Sequence, residues 1–213
     1  TDLAVEAGRK LLKKNSSLKD KIDYLIFCTQ SADYYLPSSS CLIQDRLGLL
    51  NSIGAIDVNQ GCSGFVYSLG LAKGLIETSQ AKNVLIITAD TYSKFINNRD
   101  KSVKTLFGDA ATCTLVSGKS NLNEFITAPV YGTNGSGAKH LIVPDGGMRN
   151  PLTEKSYREN KDESNNIRTQ SNLYMDGKEI FLFTLSKVPA VFNQILYKEQ
   201  LVLDDIDIVI FHQ

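Results

Sequence analysis

Residues 83–89, Asn-Val-Leu-Ile-Ile-Thr-Ala, form a nearly unbroken apolar, β-branched run, and a strand of that kind is buried on both faces. A sheet covered twice needs helices above and below it. The flanking patterns supply them, which makes the expected class α/β. Leu3, Ala4, Ala7, Leu11 and Leu12 recur at helical spacing over 3–14, ahead of the apolar run 22–28 (IDYLIFC). Residues 41–47 read as a second helix ending at Gly48, followed by a strand over 52–58 (SIGAIDV). A long third helix from Cys62 presents Phe65, Val66, Leu69, Ala72, Leu75 and Ile76 on one face. Residues 110–117 (AATCTLVS) and 124–130 (EFITAPV) read as two more strands that close a hairpin, so the sheet is expected to be mixed.

From 145 to 172 the composition turns charged and amide-rich, which predicts a long surface loop serving as functional cover or left mobile. A helix over about 176–199 follows, with Pro189 expected to kink or divide it, and a last strand is expected over 206–211. The 213 residues suffice for a sizeable core, and Lys plus Arg balance Asp plus Glu at 23 each. That balance leaves no sequence-wide field for nucleic acid or an anionic membrane, and small-molecule or protein substrates are expected instead. No run approaches the roughly 20 apolar residues of a membrane span, and residues 1–14 lack a signal-peptide core, so the expected compartment is the cytoplasm. The chain opens directly on a helix and stops on Ile210-Phe211-His212-Gln213, which reads as two cut ends.

Four cysteines at 28, 41, 62 and 113 match no zinc or disulfide spacing and read as free thiols. Cys28, Cys41 and Cys113 fall inside strand or helix patterns and are expected in the core. Cys62 differs, because Gly61-Cys62-Ser63-Gly64 joins a strand to a helix. Unpaired N–H groups and the dipole at a helix start favour negative charge, so a thiol there has a reason to ionise and act as a nucleophile. The same cysteine reads equally as a small core residue at a tight turn. His212 follows Ile208-Val209-Ile210-Phe211 and is expected at the C-terminal end of a parallel strand, where ligands collect in open α/β sheets. His140 lies in a Gly-rich stretch and suits a loop role. Gly132-Thr133-Asn134-Gly135-Ser136-Gly137 lacks the spacing of a phosphate-binding fingerprint and reads as a loop, while Asp109 in Phe107-Gly108-Asp109-Ala110-Ala111 is a candidate for a buried hydrogen bond.

Taken in order, Leu36-Pro37-Ser38, residues 57–65 (DVNQGCSGF), residues 106–111 (LFGDAA), residues 175–181 (MDGKEIF) and Phe211-His212-Gln213 resemble the β-ketoacyl-acyl carrier protein synthase III group of the thiolase superfamily. The resemblance covers nearly the whole chain. It implies a layered αβαβα fold with a first half at 1–172, lacking its first strand, and the start of a second half at 173–213. It implies that Cys62 takes an acyl group from a coenzyme A thioester. A malonyl unit on acyl carrier protein is then decarboxylated and condensed with that group, while His212 donates a hydrogen bond to the developing enolate. Leu36 falls where the family reaches across a homodimer interface to close the partner's acyl pocket, and Phe107 and Met175 fall at pocket-wall positions. Gly177 and Phe181 belong to the same set of substrate-binding positions, and Lys101 stands where the family often has an arginine against the adenine of coenzyme A. Lysine cannot stack its charge as guanidinium does, so a carrier-protein donor stays open. The resemblance implies no metal and no resident cofactor, acyl-CoA entering as substrate. It also implies an asparagine beyond the histidine that is not in this sequence. Other condensing enzymes of the superfamily (hydroxymethylglutaryl-CoA synthase or type III polyketide synthase) and a non-catalytic subunit of the same fold are the competing readings.

Overall fold

The computed structural model describes residues 1–119 and 125–212. The chain divides into two compact units, Thr1–Thr91 with Asp109–Pro129 and Ile210–Gln213, and Tyr92–Gly108 with Val130–Val209.

In the first unit the elements run α1 (Asp2–Lys14), β1 (Tyr24–Cys28), α2 (Ser39–Leu47), β2 (Gly54–Val58), α3 (Gly64–Glu77), β3 (Asn83–Thr91) and β4 (Asp109–Ser117). They build one sheet in the order β2-β1-β3-β4. β1 pairs parallel with β2 and with β3, and β4 lies antiparallel to β3, Thr91 opposite Asp109. Successive side chains on a strand point to opposite faces, and here both faces are apolar. Leu85 and Ile87 of β3 join Leu25 and Phe27 of β1 beneath α1 and α2, against Ala4, Val5, Leu12, Ile43 and Leu47. Val84 and Ile86 join Ile26 and Val116 on the other side, beneath Ala72 of α3. Helices therefore cover the sheet twice, as the run at 83–89 requires. Gly48 ends α2 at φ 61°, a left-handed conformation that glycine adopts without a Cβ clash.

Several sequence expectations are corrected. Among the described residues 125–130 form no strand, so the expected hairpin with 110–117 is absent; Glu124 lies outside the described residues. Pro129 has no N–H to give a ladder, and Ile126 instead packs its side chain on the α3 side of the core. The antiparallel partner of β4 is β3, reached across the 92–108 excursion. Phe65 and Val66 are exposed rather than buried, and α3 meets the core through Leu69, Ala72, Leu75 and Ile76. Cys41 is exposed, because α2 turns Ser39, Ser40, Ile43 and Leu47 inward. Cys28 is buried and Cys113 half-buried against the core, as expected.

The second unit holds α4 (Lys101–Lys104), β5 (Leu141–Ile142), β6 (Asn160–Lys161), β7 (Ile167–Arg168), β8 (Tyr174–Met175) and α5 (Gly177–Glu199). β5 pairs with β8 and β6 with β7, both antiparallel. The polar stretch 145–172 is thus ordered rather than a bare loop. Ser156 is fully buried in it, its hydroxyl donating to Asp145 at 2.7 Å, and the Asp145 N–H donates to the Gln170 carbonyl at 2.9 Å. Helix α5 passes through Pro189 undivided. The missing proline N–H leaves the Leu185 carbonyl without its helical partner, on an exposed stretch where water can take that place. Asp176 caps α5, its carboxylate accepting from the Glu179 N–H at 3.1 Å. No residue of α5 is buried, and by length and composition alone it could cross a membrane, a test that core helices also pass. Residues 206–212 form no strand among the described residues, since an extended segment needs a neighbour to take its backbone groups.

Replacing Leu85 by alanine should cost about 2–5 kcal/mol of stability in chemical denaturation, and replacing exposed Lys10 less than about 0.5 kcal/mol. Equal losses at the two positions would count against a β3 enclosed on both faces.

Candidate active site

The C-terminal ends of the parallel strands lie side by side, with Cys28 opposite both Val58 and Thr88. The chain leaves β2 there and turns through Gln60 to Ser63 into α3. The Gly64 N–H closes that turn on the Gly61 carbonyl at 2.8 Å, and the Tyr67 N–H begins the helical ladder on Ser63 at 3.1 Å. Cys62 stands in the turn, solvent-accessible, one residue ahead of the helix N-cap. Space beneath it is tight. A Cβ on Gly64 would lie 2.2 Å from the Cys28 Sγ, and the Cys28 thiol donates to the Gln60 carbonyl at 3.2 Å. Cys28 is therefore the floor of the Cys62 turn, which explains why that turn carries a glycine.

Two carboxylates order the surrounding loops. Asp57, near the end of β2, accepts from the Ser39 and Ser40 N–H groups at 2.7 Å each and so anchors the N-terminus of α2. Asp90, near the end of β3, accepts through one oxygen from the Gln30 N–H at 2.8 Å, the Ser31 hydroxyl at 3.0 Å and the Thr29 hydroxyl at 3.1 Å. Ser31 in turn accepts from the Thr91 N–H at 2.9 Å, which ties the loop after β1 to the end of β3. The one signal for Asp90 in the sequence is a carboxylate directly after the apolar run 83–89.

These surroundings overturn one electrostatic expectation. Burial pushes the Cys62 thiol above its ordinary pKa, its own backbone N–H works against that rise, and the negative charge of Asp90 adds to it. Desolvation and a nearby carboxylate thus outweigh the helix start. Burial likewise raises Cys28, and it pushes Cys113 up to about 12.

The other predicted residues are distributed over both units. His212 belongs to the first, exposed at the end of the irregular segment 206–212 rather than on a strand, and no hydrogen bond joins it to Cys62 among the described residues; Gln213 lies outside them. Leu36, also in the first unit, is 82% exposed beside Tyr34 and Tyr35. Lys101, Phe107, Met175, Gly177 and Phe181 are in the second. Phe107 stacks on Tyr92, ring centres 5.2 Å apart, and Phe95 meets Tyr92 edge-on at 6.1 Å. Met175 is half-buried in β8 opposite Leu141, Gly177 opens α5, and Phe181 and Lys101 are exposed. Asp109 is exposed at the start of β4, so the expected burial is not found. The Gly-rich stretch becomes a short 3-10 turn, Gly135–His140, capped by Asn134. His140 lies 3.8 Å from Asp176.

A family model described as 3-oxoacyl-[acyl-carrier-protein (ACP)] synthase III matches residues 56–135, the stretch that holds the Cys62 turn. The beta-ketoacyl-[acyl-carrier-protein] synthase III of Caldanaerobacter subterraneus subsp. tengcongensis is 35% identical over all of this chain. Over its whole length the chain is similar to 3-oxoacyl-[acyl-carrier-protein] synthase III proteins. Its relative in Syntrophomonas wolfei subsp. wolfei is 36% identical, and the chain spans 61% of each of these two proteins. Among solved structures, a 3-oxoacyl-(acyl-carrier-protein) synthase III is 48% identical with a TM-score of 0.94, over 97% of this chain and 61% of that one. The synthase III structure from Thermus thermophilus is 28% identical with a TM-score of 0.77, over 96% of this chain and 59% of its own. The expected thiolase-like α/β fold with a mixed sheet is the fold shared with these solved structures.

The raised pKa predicts little thiolate at neutral pH. Iodoacetamide should alkylate Cys62 more slowly than a free-cysteine peptide at pH 7, with a rate still rising through about pH 9; a plateau below about pH 8 would contradict it. Gly64→Ala should lower stability by about 1–3 kcal/mol, and Cys28→Ala in the same chain should recover part of that loss, because the clash is with sulfur. Thermal melts of the single and double variants would show the recovery or its absence.

Proposed function

We propose that the protein is an acyltransferase that carries an acyl group on Cys62 and condenses it with malonyl-acyl carrier protein, with loss of carbon dioxide, to a 3-oxoacyl product of fatty-acid initiation or a related acyl pathway. The observation that carries this reading is the accessible Cys62 in the turn between β2 and α3, at the C-terminal edge of the parallel strands. A thiolate attacks the thioester carbonyl and expels the donor thiolate, so the acyl group stays activated as a thioester on the enzyme. Loss of carbon dioxide from the malonyl unit leaves an enolate, whose oxygen takes a hydrogen bond from the His212 ring N–H; the enolate carbon attacks the Cys62 thioester carbonyl, the C–S bond breaks, and the Cys62 thiolate leaves as the 3-oxoacyl product forms. With the thiol pKa raised, acylation is the step expected to quicken with pH.

The substrates follow from the same reading: acyl-CoA as donor, with no resident cofactor, and acyl carrier protein as partner. Leu36, Phe107, Met175, Gly177 and Phe181 would contact the acyl and pantetheine parts, and Lys101 the nucleotide end of the donor. Support for an apolar acyl group comes from the exposed Leu36 and the paired aromatics Tyr92 and Phe107. A homodimer in the cytoplasm, with Leu36 serving the partner's pocket, and a second half-repeat beginning at 173 complete the proposal. The competing, non-catalytic reading draws support from the surroundings of Cys62, where desolvation and the Asp90 carboxylate disfavour a thiolate.

Incubation with radiolabelled acyl-CoA should place the label on the peptide containing Cys62 and give none in Cys62→Ala. His212→Ala should keep the label yet slow condensation with malonyl-acyl carrier protein by about 10²–10³-fold. Failure to label from either acyl-CoA or acyl-acyl carrier protein would leave the non-catalytic reading standing.

A further inference from the structure

The hairpin β6–β7 is clipped at its turn by Asp162, whose Oδ1 accepts from the Ser164 and Asn166 N–H groups at 2.9 Å each. It meets three consecutive residues ahead of and within α4 through four ties. The Ile167 N–H donates to the Arg99 carbonyl at 3.3 Å, and the Arg99 guanidinium pairs with Glu159. The Lys101 N–H donates to Asn166 Oδ1 at 3.0 Å. Arg168 supplies the fourth tie, donating from Nε to Asp100 at 2.6 Å and from Nη2 to Asp162 at 2.7 Å, with its charge 5.2 Å over the Tyr174 ring. Asp100 is 1% exposed and also caps α4 through the Ser102 N–H. Only a planar fork serves two carboxylates from different segments in this way. Without it Asp100 is a buried, unmatched charge, and the hairpin and α4 come loose together.

We propose that Arg168 is a positioning residue for the acyl donor: by joining Asp100 to Asp162 it holds the hairpin on α4 and keeps Lys101, pinned through Asn166, where it meets the donor's nucleotide end. The proposal rests on Lys101 being a donor contact, as set out above. The polar stretch then tunes donor affinity without touching the chemistry at Cys62. Burial opposes charge on Asp100, yet the Arg168 and Ser102 hydrogen bonds hold its pKa below the ordinary carboxylate value, so the pair persists at the pH of catalysis.

The test uses the intact protein, with acyl-CoA and malonyl-acyl carrier protein as probes. Arg168→Met should raise the KM for acyl-CoA about tenfold, leaving kcat and the KM for malonyl-acyl carrier protein within about twofold. Arg168→Lys should restore only part of the loss, because an ammonium cannot hold both carboxylates. Lys101→Ala should raise the same KM, and the double variant Arg168→Met with Lys101→Ala should be no worse than Lys101→Ala alone. Should Arg168→Met fail to fold, Asp162→Asn, whose side chain is 31% exposed, serves in its place with an expected rise of about threefold. A KM unmoved by Lys101→Ala would show that Lys101 is not a donor contact and remove the basis of the proposal. A KM that responds to Lys101→Ala but not to the Arg168 or Asp162 variants, or fully additive effects, would overturn the role of Arg168 alone.

Discussion

Enclosure of β3 is the constraint on which the first unit depends. Its residues Val84 to Ile87 alternate between two apolar layers, so α1 and α2 must lie on one face and α3 on the other. β1 shares both layers, and the parallel pairing of β1 with β2 and β3 aligns the C-terminal ends of all three. That edge is where polar groups can emerge from an otherwise apolar sheet. Cys62, Asp57 and Asp90 are all found near it, so the same packing that stabilises the unit gathers these polar groups at one edge.

The Cys62 turn is a compromise between packing and charge. Helix α3 must start close enough to β1 to cover the sheet, which brings Gly64 onto the Cys28 sulfur and leaves no room for a larger residue. Closeness also removes water from Cys62 and brings Asp90 within electrostatic reach. The helix start favours a thiolate, but over so short a range desolvation and a carboxylate prevail. In the second unit the balance is struck differently: Asp100, buried almost completely, stays ionised because Arg168 and Ser102 supply donors to it.

Much of this was legible in order along the chain. The four sheet strands of the first unit, the three helices that cover them and the glycine that stops α2 followed from hydrophobic period and turn chemistry, which are local properties. The same local rules misjudged residues 125–130 and 206–211, because an apolar run becomes a strand only if another strand takes its backbone groups. They misjudged 145–172 for the opposite reason. Polar residues there satisfy one another, through Asp162, Arg168 and Ser156, and order a segment that has almost no core. The motif around Cys62 and its family companions could be read directly, whereas the roles of Asp90, Cys28 and Arg168 could not, since their partners lie at sequence separations of about 30 to 70.

By itself, then, the sequence determined the α/β class, the order of its main elements and the candidate nucleophile, all of which depend on neighbouring residues. Tertiary structure alone decided which strands find partners, that the Cys62 thiol is raised rather than lowered in pKa, and that the polar stretch is tied to α4. Those outcomes rest on desolvation and on charges brought together from distant positions, and no local pattern encodes either.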